Sequence, residues 1–146
     1  MIAFCAYRDF HVSILEPLLN FCIAKGMDCT WVTFPFSPGK EDLPETGTSP
    51  EMKQKLLDSK IAIIEYHKNL RFDLSITADV IHDEIHYFGK TICIGHGTIS
   101  KNIYFTHQAI ARRESFHEAL CVPGPAYVDS FKNQVHTEVI PTGFSK

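Results

Sequence analysis

The chain lacks most of the signatures that would assign its chemistry at once. The turn after the first apolar run (Met1 to Ala6) contains no glycine, and Gly95-His96-Gly97 is followed by serine at position 100. A G-x-G-x-x-G dinucleotide fingerprint is therefore absent, and so is a Walker A lysine loop, which moves NAD and ATP well down the list of ligands. No G-x-S-x-G elbow is present, which argues against an α/β-hydrolase nucleophile. The cysteines (Cys5, Cys22, Cys29, Cys93, Cys121) are odd in number and never form C-x-x-C, arguing against a disulfide framework and a zinc site. No apolar run approaches the roughly 18–20 residues of a membrane span. The first residues lack the basic segment and apolar core of a signal peptide. Net charge is −3, so no basic footprint points to nucleic acid.

What is present is 146 residues with 45% hydrophobic content, enough for one domain with its own core. Short apolar runs alternate with helical periodicity. The runs Met1 to Ala6, Cys29 to Phe34, Ile61 to Ile64, Leu74 to Thr77, Thr91 to Gly95, Ala119 to Val122 and Glu138 to Ile140 read as strands. Between the first two, Ile14, Leu15, Leu18, Leu19, Cys22 and Ile23 recur at helical spacing. Ser13 with Glu16 fits a capping box, and Gly26 is a C-terminal stop. On this reading Arg8 to His11 is the exit loop of the first strand, and Pro17 falls near the first helical turn. Further helices are expected over Met52 to Asp58, Val80 to Tyr87, His107 to Phe116, and Ala126 to Lys132 with Pro125 at its first position. Pro35 to Pro50 holds four prolines and two glycines, and is expected to be a functional flap or disordered. This alternation implies an α/β fold, a parallel sheet of about six to seven strands with helices on both faces.

In an open parallel sheet, ligands gather at the carboxyl ends of the strands. The polar groups expected there are Arg8, Asp9 and His11; Tyr66, His67 and Lys68; His96, Thr98 and Lys101; and the Gly124 helix start, whose backbone N–H groups suit an anion. His96 stands between two glycines at the exit of the strand bounded by Gly89. A histidine there, with an ordinary pKa of about 6.5, accepts a hydroxyl proton near neutrality. Gly97 keeps a side chain out of the way, and Thr98 and Lys101 can hold phosphate oxygens. His82 and His86 stand one helical turn apart, but Glu84 is one position late for H-E-x-x-H. That pair, like Arg112 and Arg113, reads as a solvated helix face, and no metal or cofactor is expected.

The run Ile94-Gly95-His96-Gly97-Thr98 followed by Lys101 resembles the HGT…K segment of the CDP-glycerol glycerophosphotransferases, the teichoic-acid polymerase family. Ala119 to Pro125 and Val139 to Gly143 look like the two strand-and-turn units that follow it. The resemblance rests on motif over roughly residues 60 to 146 and on pattern alone before that. It implies the Rossmann-like, acceptor-side half of a GT-B architecture over residues 1–146, with the donor domain absent from this chain. It implies His96 as general base on an acceptor hydroxyl, with Thr98, Lys101, Arg8, His11, His67, Gly97 and Gly124 as binding groups. The implied partners are a polymer or lipid-linked acceptor and a CDP- or UDP-activated donor carried by a further domain or a partner subunit. The expected setting is cell-envelope polymer synthesis in the cytoplasm, with peripheral contact at the inner membrane face, and the isolated chain is expected to be inactive. The same order of elements occurs in UDP-N-acetylglucosamine 2-epimerase-like and other GT-B proteins. A non-catalytic subunit completing a two-chain enzyme is the third reading, marked by an apolar patch around Pro141 to Phe144.

Overall fold

The computed structural model describes residues 1–39, 45–78, 88–95, 117–131 and 138–143. The expected helices over Val80 to Tyr87 and His107 to Phe116, the tip of the proline-rich segment (40–44), and His82 and His86 lie outside them. The strands are β1 (Ile2–Ala6), β2 (Cys29–Thr33), β3 (Ile63–Glu65), β4 (Leu74–Thr77), β5 (Thr91–Cys93), β6 (Ala119–Val122) and β7 (Glu138–Pro141). They form one sheet in the order β3-β2-β1-β4-β5-β6-β7, and every pair is parallel. The helices are α1 (Asp9–Ala24), α2 (Pro50–Asp58) and α3 (Pro125–Phe131). The chain is thus an α/β Rossmann-like fold with a switch of direction between β1 and β4.

Parallel strands buried on both faces are continuously apolar. β1 follows this rule, with only Ile2 half-buried, and β2 is buried throughout although Thr30 and Thr33 are polar. Phe4, Ala6, Trp31 and Ile76 point toward α1 and α2, meeting Val12, Leu15, Leu19 and Leu56. Cys5 pairs in register with Thr77, and Thr77 with Cys93, so these three share the other face. There α3 sets Phe131 with the half-buried Tyr127 and Val128 over Cys93, Leu120 and Val122. Helices therefore cover both faces.

No helix connects β3 to β4. Instead Tyr66, Leu70 and Phe72 fold down with Phe34 and Phe88 over Ala3, Cys5 and Val32. Tyr66 stacks on Phe34 with centroids 5.1 Å apart, and Phe72 meets Phe88 edge-on at 5.6 Å. Aromatic pairs contribute beyond their buried area, so a short connection seals a face that a helix would otherwise cover.

Two local readings are corrected. α1 starts at Asp9, four residues before Ser13, so of the expected exit loop Arg8 to His11 only Arg8 lies outside the helix. The reason is tertiary: Asp9 Oδ1 accepts the Ser49 N–H at 2.9 Å, while Ser13 Oγ donates to the Phe10 carbonyl instead of capping a helix. Pro17 consequently sits well inside α1. Ser13 and Pro17 are both exposed, so the carbonyl that loses its helical donor faces water.

The second correction concerns the proline-rich segment, whose described ends are pinned. Ser37 and Thr46 pair as an antiparallel bridge, and Gly47 N–H donates to the Tyr7 carbonyl at 2.9 Å. The buried Thr48 hydroxyl donates to the Ala6 carbonyl at 2.7 Å and accepts from the Phe34 N–H at 3.1 Å. Ser49 then caps α2 by accepting from Met52 N–H.

Gly47 has φ +82°, and a Cβ there would fall 2.0 Å from the Pro35 carbonyl oxygen. Gly47→Ala should therefore lower the unfolding free energy by more than about 1 kcal/mol. Fluorescence of the single, buried Trp31 in a denaturant titration reads the effect. Gly124→Ala is the control, because a Cβ at Gly124 meets nothing within 4 Å; its unfolding free energy should stay within about 0.5 kcal/mol of the parent.

Candidate functional site

Because every strand runs the same way, all the strand exits share one edge of the sheet. His67 follows β3, Arg8 follows β1, Ile94 and Gly95 follow β5, Gly124 follows β6, and Thr142 and Gly143 follow β7. Neighbouring strands stand about 4.8 Å apart. His67 and Gly124 are five strand steps apart, so about 24 Å of sheet separates them, too far for one small group to touch both. Arg8 and Gly95 flank β4 only two steps apart, about 10 Å, which is the span of a sugar phosphate. The compact part of the edge is thus the pair of exits beside the switch point.

Each expected site residue now has a place or lies outside the described residues. Arg8 is half-buried at the N-cap of α1 in extended backbone, and its carbonyl accepts the His11 N–H at 2.9 Å. Asp9, half-buried, opens the helix where the dipole favours an anion. His11 does not stand at the rim. It belongs to the first turn of α1, is 2% exposed, and packs edge-on against Phe10 with centroids 4.5 Å apart. Helical geometry explains the burial: His11, Leu15 and Leu19 share one stripe, which faces the sheet.

His67 is exposed in the turn closed by Leu70 N–H on its carbonyl at 3.1 Å. Beside it, the Glu65 carboxylate accepts from Lys53 at 2.7 Å, and this ion pair holds Glu65 below its ordinary pKa. Gly124 is half-buried, and the helix after it has seven residues, with a proline at its first position that supplies no N–H. That leaves it a poorer anion cradle than the Pro-Gly-Pro turn suggested. His96, Gly97, Thr98 and Lys101 lie outside the described residues, as do Arg112 and Arg113. Among the described residues no cluster of three or more His, Cys, Asp or Glu side chains fits a metal ion, and no helix is long and apolar enough to cross a membrane.

Two features at this edge escape a reading of the sequence. One is the clasp from Gly47 to Ser49, which fastens the second crossover to the exit of β1 through backbone groups that composition does not reveal. The other is an apolar cleft of about 370 Å³ between α1 and the ends of β5, β6 and β7. Pro17, Leu18 and Phe21 form one wall; Ile94, Cys121, Thr142 and Gly143 form the other. The apolar patch expected around Pro141 to Phe144 overlaps its wall only at Thr142 and Gly143. Burial pushes the Cys121 thiol up, and a hydrogen bond with Thr142 acts against that shift. A protonated thiol among apolar walls suits the seating of an apolar group rather than proton transfer.

Compared with family models, curated proteins and solved structures, the chain matches none of them.

Asp9→Ala should remove the acceptor for Ser49 N–H and cost about 1 kcal/mol in equilibrium unfolding. Amide exchange at Ser49 should speed up selectively. Asp9→Asn, which keeps an acceptor oxygen, should retain most of the stability; equal losses in both variants would show that charge at the helix start matters more than the bond.

Proposed function

We propose that this chain is the acceptor-binding half of a GT-B transferase similar to the CDP-glycerol glycerophosphotransferases. The observation that carries this reading is the all-parallel sheet with Ile94 and Gly95 leaving β5, two strand steps from Arg8 across the switch point. His96 follows Gly95 directly in the sequence.

In this reading an acceptor hydroxyl lies at the edge between the exits of β1 and β5. His96 takes the hydroxyl proton as the oxygen attacks the β-phosphorus of a CDP-activated donor. The new phosphorus–oxygen bond forms as the bond to the departing CMP breaks. Arg8, Thr98 and Lys101 supply positive charge and hydrogen bonds to phosphate oxygens, so catalysis is mainly positioning and charge stabilisation. His67 and Gly124, farther out along the edge, contact the more remote parts of a long polymeric acceptor. The donor is held by a further domain or a partner subunit, and the working site is the soluble edge of the domain, brought close to the membrane by its acceptor.

The experiment is CMP release from CDP-glycerol by the full-length enzyme that carries this chain, in the presence of a glycerol-phosphate polymer. His96→Ala should lower kcat by about 10²- to 10⁴-fold, the usual contribution of a general base. Unchanged turnover would remove His96 from the mechanism, and consumption of UDP-sugars in place of CDP-glycerol would move the chain to the epimerase-like group.

A further inference from the structure

Cys22 and Cys29 belong to different elements, the last turn of α1 and the first residue of β2, yet the chain brings them together. α1 ends in a turn with paired bonds, Gly26 N–H to the Ile23 carbonyl at 2.8 Å and Met27 N–H to the Cys22 carbonyl at 3.0 Å. Gly26 at φ +76° allows this reversal. Ile2 N–H then donates to the Asp28 carbonyl at 2.8 Å, seating the start of β2 against β1. The two cysteine side chains join one buried cluster with Leu19 and Trp31, and Cys22 is among the groups that act on the Cys29 thiol. Both are free thiols. They are 7% and 8% exposed, whereas Cys5 and Cys93 are 1% exposed. The pair therefore sits nearer the margin of the core than Cys5 and Cys93 do.

We propose that Cys22 and Cys29 are a redox-modification site, closing to an intramolecular disulfide by exchange with a low-molecular-weight disulfide. One cysteine loses its proton, and its thiolate attacks a sulfur of the small disulfide. This forms a mixed disulfide and expels a small thiolate, which takes up a proton. The second cysteine, deprotonated in turn, attacks the protein sulfur of that mixed disulfide and expels the other small thiolate. Two protein thiols are oxidised, and one small disulfide is reduced to two thiols; excess thiol reverses both steps.

Burial, then Cys22, then Asp28 hold Cys29 above its ordinary pKa, and the N-terminal ammonium opposes them. Thiolate is therefore scarce near neutrality, and closure is slow there and faster as pH rises. The bond would fasten the end of α1 to the sheet one residue from Phe21, which lines the apolar cleft. It would also constrain the unfolded chain.

The test is incubation of the 146-residue chain with oxidised glutathione at mildly alkaline pH, followed by mass analysis and thermal unfolding. The expected product is lighter by two hydrogens, gives a proteolytic fragment joining positions 22 and 29, unfolds several degrees higher, and reverts with dithiothreitol. Cys22→Ser and Cys29→Ser should each abolish both the mass loss and the thermal shift, whereas Cys5→Ser should keep both. Overturning results are glutathione adducts without an internal bond, retention of all five thiols, or an internal bond that survives Cys22→Ser.

Discussion

Parallel pairing of β1 with both β2 and β4 is the constraint on which the remainder of the structure depends. β1 also has side chains packed over both of its faces, which is why it is apolar throughout. Its exit must also lie beside the exits of its partners. From β1 the chain builds outward in two directions, β2 and β3 to one side and β4 through β7 to the other. The change of direction between β1 and β4 therefore falls at the middle of the sheet. In open α/β sheets ligands gather at the carboxyl edge beside such a switch point.

The two ends of α1 serve different purposes. Its first turn is held by Asp9 on Ser49 and buries His11, which makes the start of the helix part of the scaffold beside the β1 exit. Farther along, Leu15 and Leu19 are buried against the sheet, while Pro17 and Phe21 turn away from it and wall the apolar cleft. One helix thus carries a buried stripe and a second, more open apolar stripe. The edge of the sheet accordingly offers a polar stretch around Arg8 and an apolar one near Ile94 and Cys121. A molecule with a charged part and a greasy part suits that division better than a uniformly polar one.

The fold was largely legible because local signals agreed with the global pattern. Leu74–Thr77 and Ala119–Val122 were readable to the residue, the second because Pro123-Gly124-Pro125 stops it sharply. Gly26 ended α1 as expected, with its φ in the left-handed region. The start of α1 was not legible, because a local capping pattern at Ser13 lost to a bond with Ser49, forty residues away. The same error placed His11 on a loop, whereas the helical stripe it shares with Leu15 carries it into the core. The proline-rich segment was legible as irregular but not as fastened, since its anchors are backbone groups and one buried hydroxyl. For the candidate site, the reading of strand exits placed Arg8 and His67 at the carboxyl edge of the sheet, where both lie. The distances along that edge, which separate His67 from Gly124, follow only from the strand order. His96, Thr98 and Lys101 rest on the motif itself.

The most direct measurement is a backbone amide titration of the chain with glycerol 3-phosphate, followed by nuclear magnetic resonance. Binding between the exits of β1 and β5 predicts that the largest shifts cluster at Tyr7, Arg8, Asp9 and Gly95. Shifts concentrated on the opposite edge, at Met27, Lys60 and Gly89, would contradict the account.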